Sequence, residues 1–163
     1  MKRKLRAAVL AGVLLVAGWP VFAQERVLSR GQTLYVPVYS HILHGNLDRS
    51  GKAEWLLLSA MLSIRNIDPY HPIKIDSVRY YDTDGKLVRE YDPKIRTLTP
   101  LQSTDVFVEL KDTTGGTGAN FLVEWSAETE VNPPIVETVH AYAFGTQSII
   151  FRSTSRQIFD SRQ

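Results

Sequence analysis

Leu56-Leu57-Leu58-Ser59-Ala60-Met61-Leu62-Ser63-Ile64 carries an apolar residue at every second place: Leu56, Leu58, Ala60, Leu62 and Ile64. The places between them end in Ser59, Met61, Ser63 and then Arg65. Successive side chains leave a strand on opposite sides, so a period of two predicts a β-strand with one buried face. Asn66-Ile67-Asp68-Pro69 stops the run, because proline cannot extend a ladder and Asn and Asp favour turns.

The same grammar continues downstream. Ile73 to Asp82 is extended, but Ile73 and Ile75 lie in one parity and Val78 and Tyr80 in the other, which predicts a β-bulge between them. Asp82-Thr83-Asp84-Gly85 then separates this run from Lys86 to Tyr91, and an Asp-Gly pair between two β-rich runs predicts a hairpin. Thr97 to Ser103 reads as a polar connection into Thr104 to Leu110. Phe121 to Trp125 follows, with Phe121, Val123 and Trp125 on one face, and Trp125 is assigned to the core. Ile135 to Phe144 and Ser148 to Phe151 are the last strands, and Thr33 to Tyr39 is the first, with Pro37 marking an edge or a bulge. No stretch shows a sustained helical period. Seven or eight short strands separated by turns predict an all-β fold, an antiparallel β-sandwich of immunoglobulin-like arrangement, with barrel closure as the alternative. The domain is expected over 33–152, and 153–163 reads as a polar tail with the composition of disorder.

Ahead of the domain, Lys2, Arg3, Lys4 and Arg6 precede an uncharged, mostly apolar run from Ala7 to Gly18, then Pro20 and Val21-Phe22-Ala23. This is the pattern of a secretory signal peptide, 1–23, cut after Ala23, and the expected destination is the periplasm or the medium. The apolar run is too short to span a bilayer, so no membrane span is expected once the signal is removed. Its removal takes four of the 19 basic groups and none of the 17 acidic ones, leaving 15 against 17, a net charge of −2. No basic face points to nucleic acid. The chain has no Cys, which excludes disulfides, thiol nucleophiles and thiolate metal sites.

Four stretches carry a resemblance: Tyr39-Ser40-His41-Ile42, Leu62-Ser63-Ile64-Arg65-Asn66, Tyr80-Tyr81-Asp82-Thr83-Asp84-Gly85-Lys86-Leu87-Val88, and Gly115-Gly116-Thr117-Gly118-Ala119-Asn120-Phe121-Leu122-Val123-Glu124-Trp125. With them the chain, over Tyr35 to Phe151, resembles a family of small exported bacterial proteins catalogued only as a domain of unknown function. The resemblance implies no activity. More loosely, the succession of strand end, hairpin and Leu-x-Pro-Leu-x-Ser is similar to bacterial extracellular immunoglobulin-like modules, although Leu101 stands where many of those carry Gly. That likeness implies binding rather than catalysis.

Gly115, Gly116, Thr117, Gly118 and Asn120 lie in the loop Asp112 to Asn120, where consecutive glycines can aim amides at an anion. Phe121 replaces the third glycine of a dinucleotide fingerprint, no Gly-Lys-Ser/Thr is present, and a strand rather than a helix follows, so nucleotide binding is rejected. The loop is read either as a tight turn or as an interaction loop. Asp82 and Asp84 are explained by their turn rather than by calcium. His41 and His44, with His71 and Met61, are candidate copper or zinc ligands, although residues three apart on a strand point to opposite faces. No serine sits in a nucleophile elbow. The expectation is an exported, non-catalytic module without a cofactor that binds a protein or envelope component. A periplasmic metal-binding protein and a hydrolase are the alternatives.

Overall fold

A computed structural model of the chain describes residues 27–93 and 96–160, for Asp160 the backbone alone. The signal segment expected over 1–23 lies outside these residues. Twelve strands form, and no helix among the described residues. They are β1 Ser29–Pro37, β2 His41–His44, β3 Glu54–Leu57, β4 Ser59–Arg65, β5 Ile73–Tyr81, β6 Leu87–Tyr91, β7 Thr97–Leu98, β8 Ser103–Val108, β9 Asn120–Val131, β10 Ile135–Phe144, β11 Gln147–Thr154 and β12 Arg156–Asp160. One sheet runs β12-β1-β9-β5-β6 with β7 on the start of β5, the other β11-β10-β4-β8, and β2-β3 is a separate hairpin. Every pairing is antiparallel, and the sheets close face to face as a sandwich rather than a barrel.

The opening alternation supplies one inner face. Leu58, Ala60, Leu62 and Ile64 are buried, and against them stand Leu34, Val36 and Val38 of β1 and its extension, Ile75, Val78 and Tyr80 of β5, and Phe121, Val123 and Trp125 of β9. The parity change in β5 is a bulge: Ile75 pairs with Trp125 and Ser77 with Glu124, so Asp76 is the extra residue. Gly85 closes the predicted hairpin at φ 76°, and the Asp82 carboxylate accepts the amides of Asp84 and Lys86 at 3.0 and 2.8 Å.

The pairings β4 with β8 and β5 with β9 match the B–E and C–F pairs of an immunoglobulin sandwich. The N-terminal strand β1 lies beside β9, in the place of strand G, and β10 lies beside β4, in the place of strand A.

The count of seven or eight strands is corrected to twelve among the described residues. The run Leu56 to Ile64 is two strands, because the Leu58 amide turns to the Ser40 carbonyl at 2.9 Å and the chain before it pairs with β2. The polar connection contains β7. Of the segment expected as a polar tail, the described residues are strand on both sides of Ser155: β12 pairs with β1 from Gln32 to Tyr35, with the Gln32 side-chain nitrogen donating to the Gln157 side-chain oxygen at 3.0 Å. Backbone bonding holds this strand without an alternating apolar pattern, so its side chains did not announce it. Pro37 sits at the end of β1, beyond the reach of β12, where a missing donor costs no ladder bond on that side. In the turn Thr99 to Gln102, closed by a 3.0 Å bond, Leu101 adopts φ 63°, the conformation glycine would take without strain.

Candidate functional site

Three of the four stretches that carry the family resemblance meet at one end of the sandwich. The loop between β8 and β9 is held there from two sides. On one side the Ser40 hydroxyl accepts the Gly116 amide at 2.9 Å and lies 3.2 Å from the Gly116 carbonyl, which also accepts the Ser40 amide at 3.1 Å. On the other side Thr83 donates its amide and its hydroxyl to the Gly115 carbonyl at 2.9 and 3.0 Å, and its hydroxyl oxygen accepts the Gly118 amide at 3.0 Å. Thr117 is half-buried, and Asn120 opens β9 between Pro37 and Tyr81. Gly116 has φ 79°, and a Cβ on Gly115 would stand 1.8 Å from the Tyr80 hydroxyl. The glycines let the loop pack onto Thr83 and Tyr80, and the amides of Gly116 and Gly118 are spent inside the chain. Burial, with the Asp112 carboxylate adding to it, pushes the Tyr80 phenol above its ordinary range.

The four nominated metal residues are not brought together. His41 is buried with its ring stacked on Trp55 at 4.1 Å, and His44 lies 3.9 Å from Glu54 at the surface. His71 is at the other end of the sandwich, 3.1 Å from Asp68, a distance away set by the nine residues of β5, about 26 Å of strand. Met61 sits between Val139 and Phe107 on β4 and is partly exposed. Among the described residues no group of three or more His, Cys, Asp or Glu could hold a metal ion.

The fourth histidine, His140, is fully buried. Its Nε2 accepts the Tyr39 amide at 3.1 Å, so the neutral ring carries its proton on Nδ1, and Phe151 stacks on it at 4.5 Å. Burial pushes its pKa from the ordinary 6.5 to about 4, with the Phe151 backbone opposing. The fold therefore favours the neutral ring, and between pH 6.5 and 4 the unfolded chain binds a proton that the folded chain refuses. Stability from this group is full well above pH 6.5 and falls as the pH drops toward 4, by about 2 kcal/mol between pH 7 and 4.5. Urea unfolding at the two pH values checks this, and His140→Gln, which keeps an acceptor for Tyr39, is expected to lose most of the dependence.

At the end away from the glycine loop, Asp68 joins two connections. Its Oδ1 accepts the amides of Tyr70 and His71, both at 2.9 Å, and its Oδ2 accepts the Asn132 amide and side-chain nitrogen, both at 3.0 Å. Burial pushes this carboxyl up, but those hydrogen bonds together outweigh it and hold it well below the usual carboxylate range. Asn66 adds three bonds from its side-chain nitrogen, to the carbonyls of His71, Leu98 and Thr99.

An opening lies at the same end of the sandwich as the glycine loop. The β2-β3 hairpin and the β10-β11 hairpin flank a groove of about 540 Å³, lined by Ile42, Leu56, Tyr142 and Ile149 and by as many polar residues, His44 and Gln147 among them. Phe144, two places beyond Tyr142 on the same face of β10, is 76% exposed, whereas Ile150 and Trp55 leave the opposite faces of their hairpins. An exposed apolar side chain continuous with the wall of a groove is the mark of an interaction surface. Sequence reasoning missed Ser40 and Thr83, although both lie in stretches singled out for the resemblance. It also missed the groove, because its walls come from residues about 90 positions apart and read as ordinary strand.

No curated protein matches the chain. Among solved structures it is similar to the crystal structure of Thermotoga maritima 1070, at 13% identity over 82% of this chain and 97% of that one, with a TM-score of 0.42, a likeness too distant to carry an argument. Residues 31–158, all but the first two residues of β1 and the last two of β12, match the family described as Protein of unknown function (DUF3124), and the chain belongs to that family.

Proposed function

We propose that the protein is an exported, non-catalytic binding module of the cell envelope that takes a protein partner at the groove between its two hairpins. The groove itself carries this reading, since an open cleft that joins Ile42, Leu56, Tyr142 and Ile149 to a set of polar side chains has the character of an interface core with its polar rim. The basic start, apolar run and Val21-Phe22-Ala23 support export. The non-catalytic reading is supported by the serine–histidine contact at this end, Ser40 with His41 at 3.2 Å. Ser40 is buried, its hydroxyl is engaged by Gly116, and Trp55 covers the His41 ring, so no substrate carbonyl could reach the oxygen.

A photoreactive residue placed at Tyr142 or Ile149, in cells of the organism that makes the protein, tests this reading. The expected result is one discrete crosslinked protein from the groove positions that does not form from Met61 or Phe107 on the outer face of the second sheet. Equal crosslinking at all four positions, or none at the groove, would sink it.

A further inference from the structure

The walls of the groove are strand edges as well as apolar side chains. β4 and β10 pair as far as Ser59 and Ala141, and there the two chains part. β10 runs on through Tyr142, Ala143 and Phe144, paired on one side with Ile149, Ser148 and Gln147 of β11 and with nothing on the other. Before the Leu58 turn, β3 from Glu54 to Leu57 pairs with β2 alone. The groove thus opens where a continuous sheet splits, and each lip presents a strand edge without a ladder partner. An unpaired row of amides and carbonyls is a template for another strand, and folded proteins usually blunt such edges with charge, proline or a bulge. Here Tyr142-Ala143-Phe144 carries none of these and β3 only Glu54 at its start, beside His44 of β2, whereas the edge strand β6 carries Arg89 and Glu90 and the edge strand β8 carries Asp105.

We infer that the groove receives an extended, alternately apolar segment of the partner polypeptide, which pairs with the free edge of β10, β3 or both. The inference rests on the groove being the binding surface and adds the form of what binds. The chemistry follows from the walls: main-chain groups on the lips give affinity without regard to sequence, and Ile42, Leu56, Tyr142 and Ile149 accept every second side chain of an incoming strand. The free stretches, four residues of β3 and three of β10, match a segment of about 10 to 13 Å. A helix would fill the cleft but leave both edges unpaired, and a lipid chain would desolvate them without offering a hydrogen bond.

The test uses the full mature chain and random short peptides displayed on phage. Enriched peptides are expected to alternate apolar and polar residues. Methylation of their backbone nitrogens at one alternate set is expected to weaken binding about tenfold per lost bond, and methylation at the other set to leave it nearly unchanged. Hydrogen exchange should slow on binding at Tyr142 to Phe144 or at Glu54 to Leu57. No enrichment, equal tolerance of methylation at both sets, or protection confined to other strands would overturn strand addition. Crosslinking from Tyr142 or Ile149 would survive those outcomes, so the mode of binding and the place of binding fail separately. Enriched peptides that copy an extended stretch of this chain would overturn a separate partner and identify the incoming strand as that of a second copy.

Discussion

Gly115→Ala is expected to destabilise the protein by about 3 kcal/mol, the upper end of what overpacking a filled site costs. The new methyl would stand 1.8 Å from the Tyr80 hydroxyl, 2.7 Å from the ring carbon that bears it and 2.8 Å from Ala119 Cβ. Tyr80 cannot yield, because it is fully buried with Phe121 and Tyr91 against its ring at centroid distances of 5.0 and 6.3 Å. The loop cannot yield either, since the Gly115 carbonyl is bonded twice by Thr83. Space rather than backbone conformation decides this, because Gly115 is not among the residues with positive φ. Tyr80→Phe in the same chain removes the atom at 1.8 Å, whose hydroxyl has no hydrogen-bond partner of its own, and should restore a sizeable part of the loss. Gly118→Ala meets nothing nearer than Thr83 Cγ2 at 3.2 Å and should cost about 1 kcal/mol or less. Urea unfolding of the four chains, wild type included, checks the order.

Asp68→Ala is expected to cost about 4 kcal/mol, because removing one partner from a buried charged network leaves several donors without acceptors. Four backbone or amide donors would be orphaned, from Tyr70, His71 and Asn132, and the contact with the His71 ring at 3.1 Å would go with them. The loops after β4 and after β9 would lose their common anchor. Asp68→Asn retains one oxygen and should fall between the two. The pH behaviour is distinct from that of His140. A carboxyl held below its ordinary pKa of 3.8 contributes stability that is full above that value and is lost as the pH falls through the folded pKa. Loss between pH 6.5 and 4 therefore belongs to His140 and loss at lower pH to Asp68, and urea midpoints of the two variants across that range separate them.

The strands were legible wherever one face is buried and the other wet. Leu58 to Ile64 and Phe121 to Trp125 announce themselves by alternation, and even the bulge at Asp76 is written in the parity of Ile75 and Val78. β12 was not legible, because its place is decided by backbone bonds to β1 and its side chains need bury nothing. The split between β3 and β4 was hidden for a related reason: Leu58 is apolar and in register, and only the turn of its amide to Ser40 breaks the strand. The glycine loop was found but not explained. Its partners, Ser40 and Thr83, lie 76 and 32 residues away from the glycines whose carbonyls they hold, a distance no local pattern crosses.

What most directly separates a working groove from a working glycine loop is the yield of the Tyr142 crosslink in two altered chains. Ile149→Asp places a charge on a partly exposed wall of the groove, and Gly118→Ala alters the exposed face of the loop. Loss of the crosslinked protein in Ile149→Asp, with full yield in Gly118→Ala, is the predicted result. Full yield in Ile149→Asp with loss in Gly118→Ala would contradict it, and would return the binding surface to the glycines.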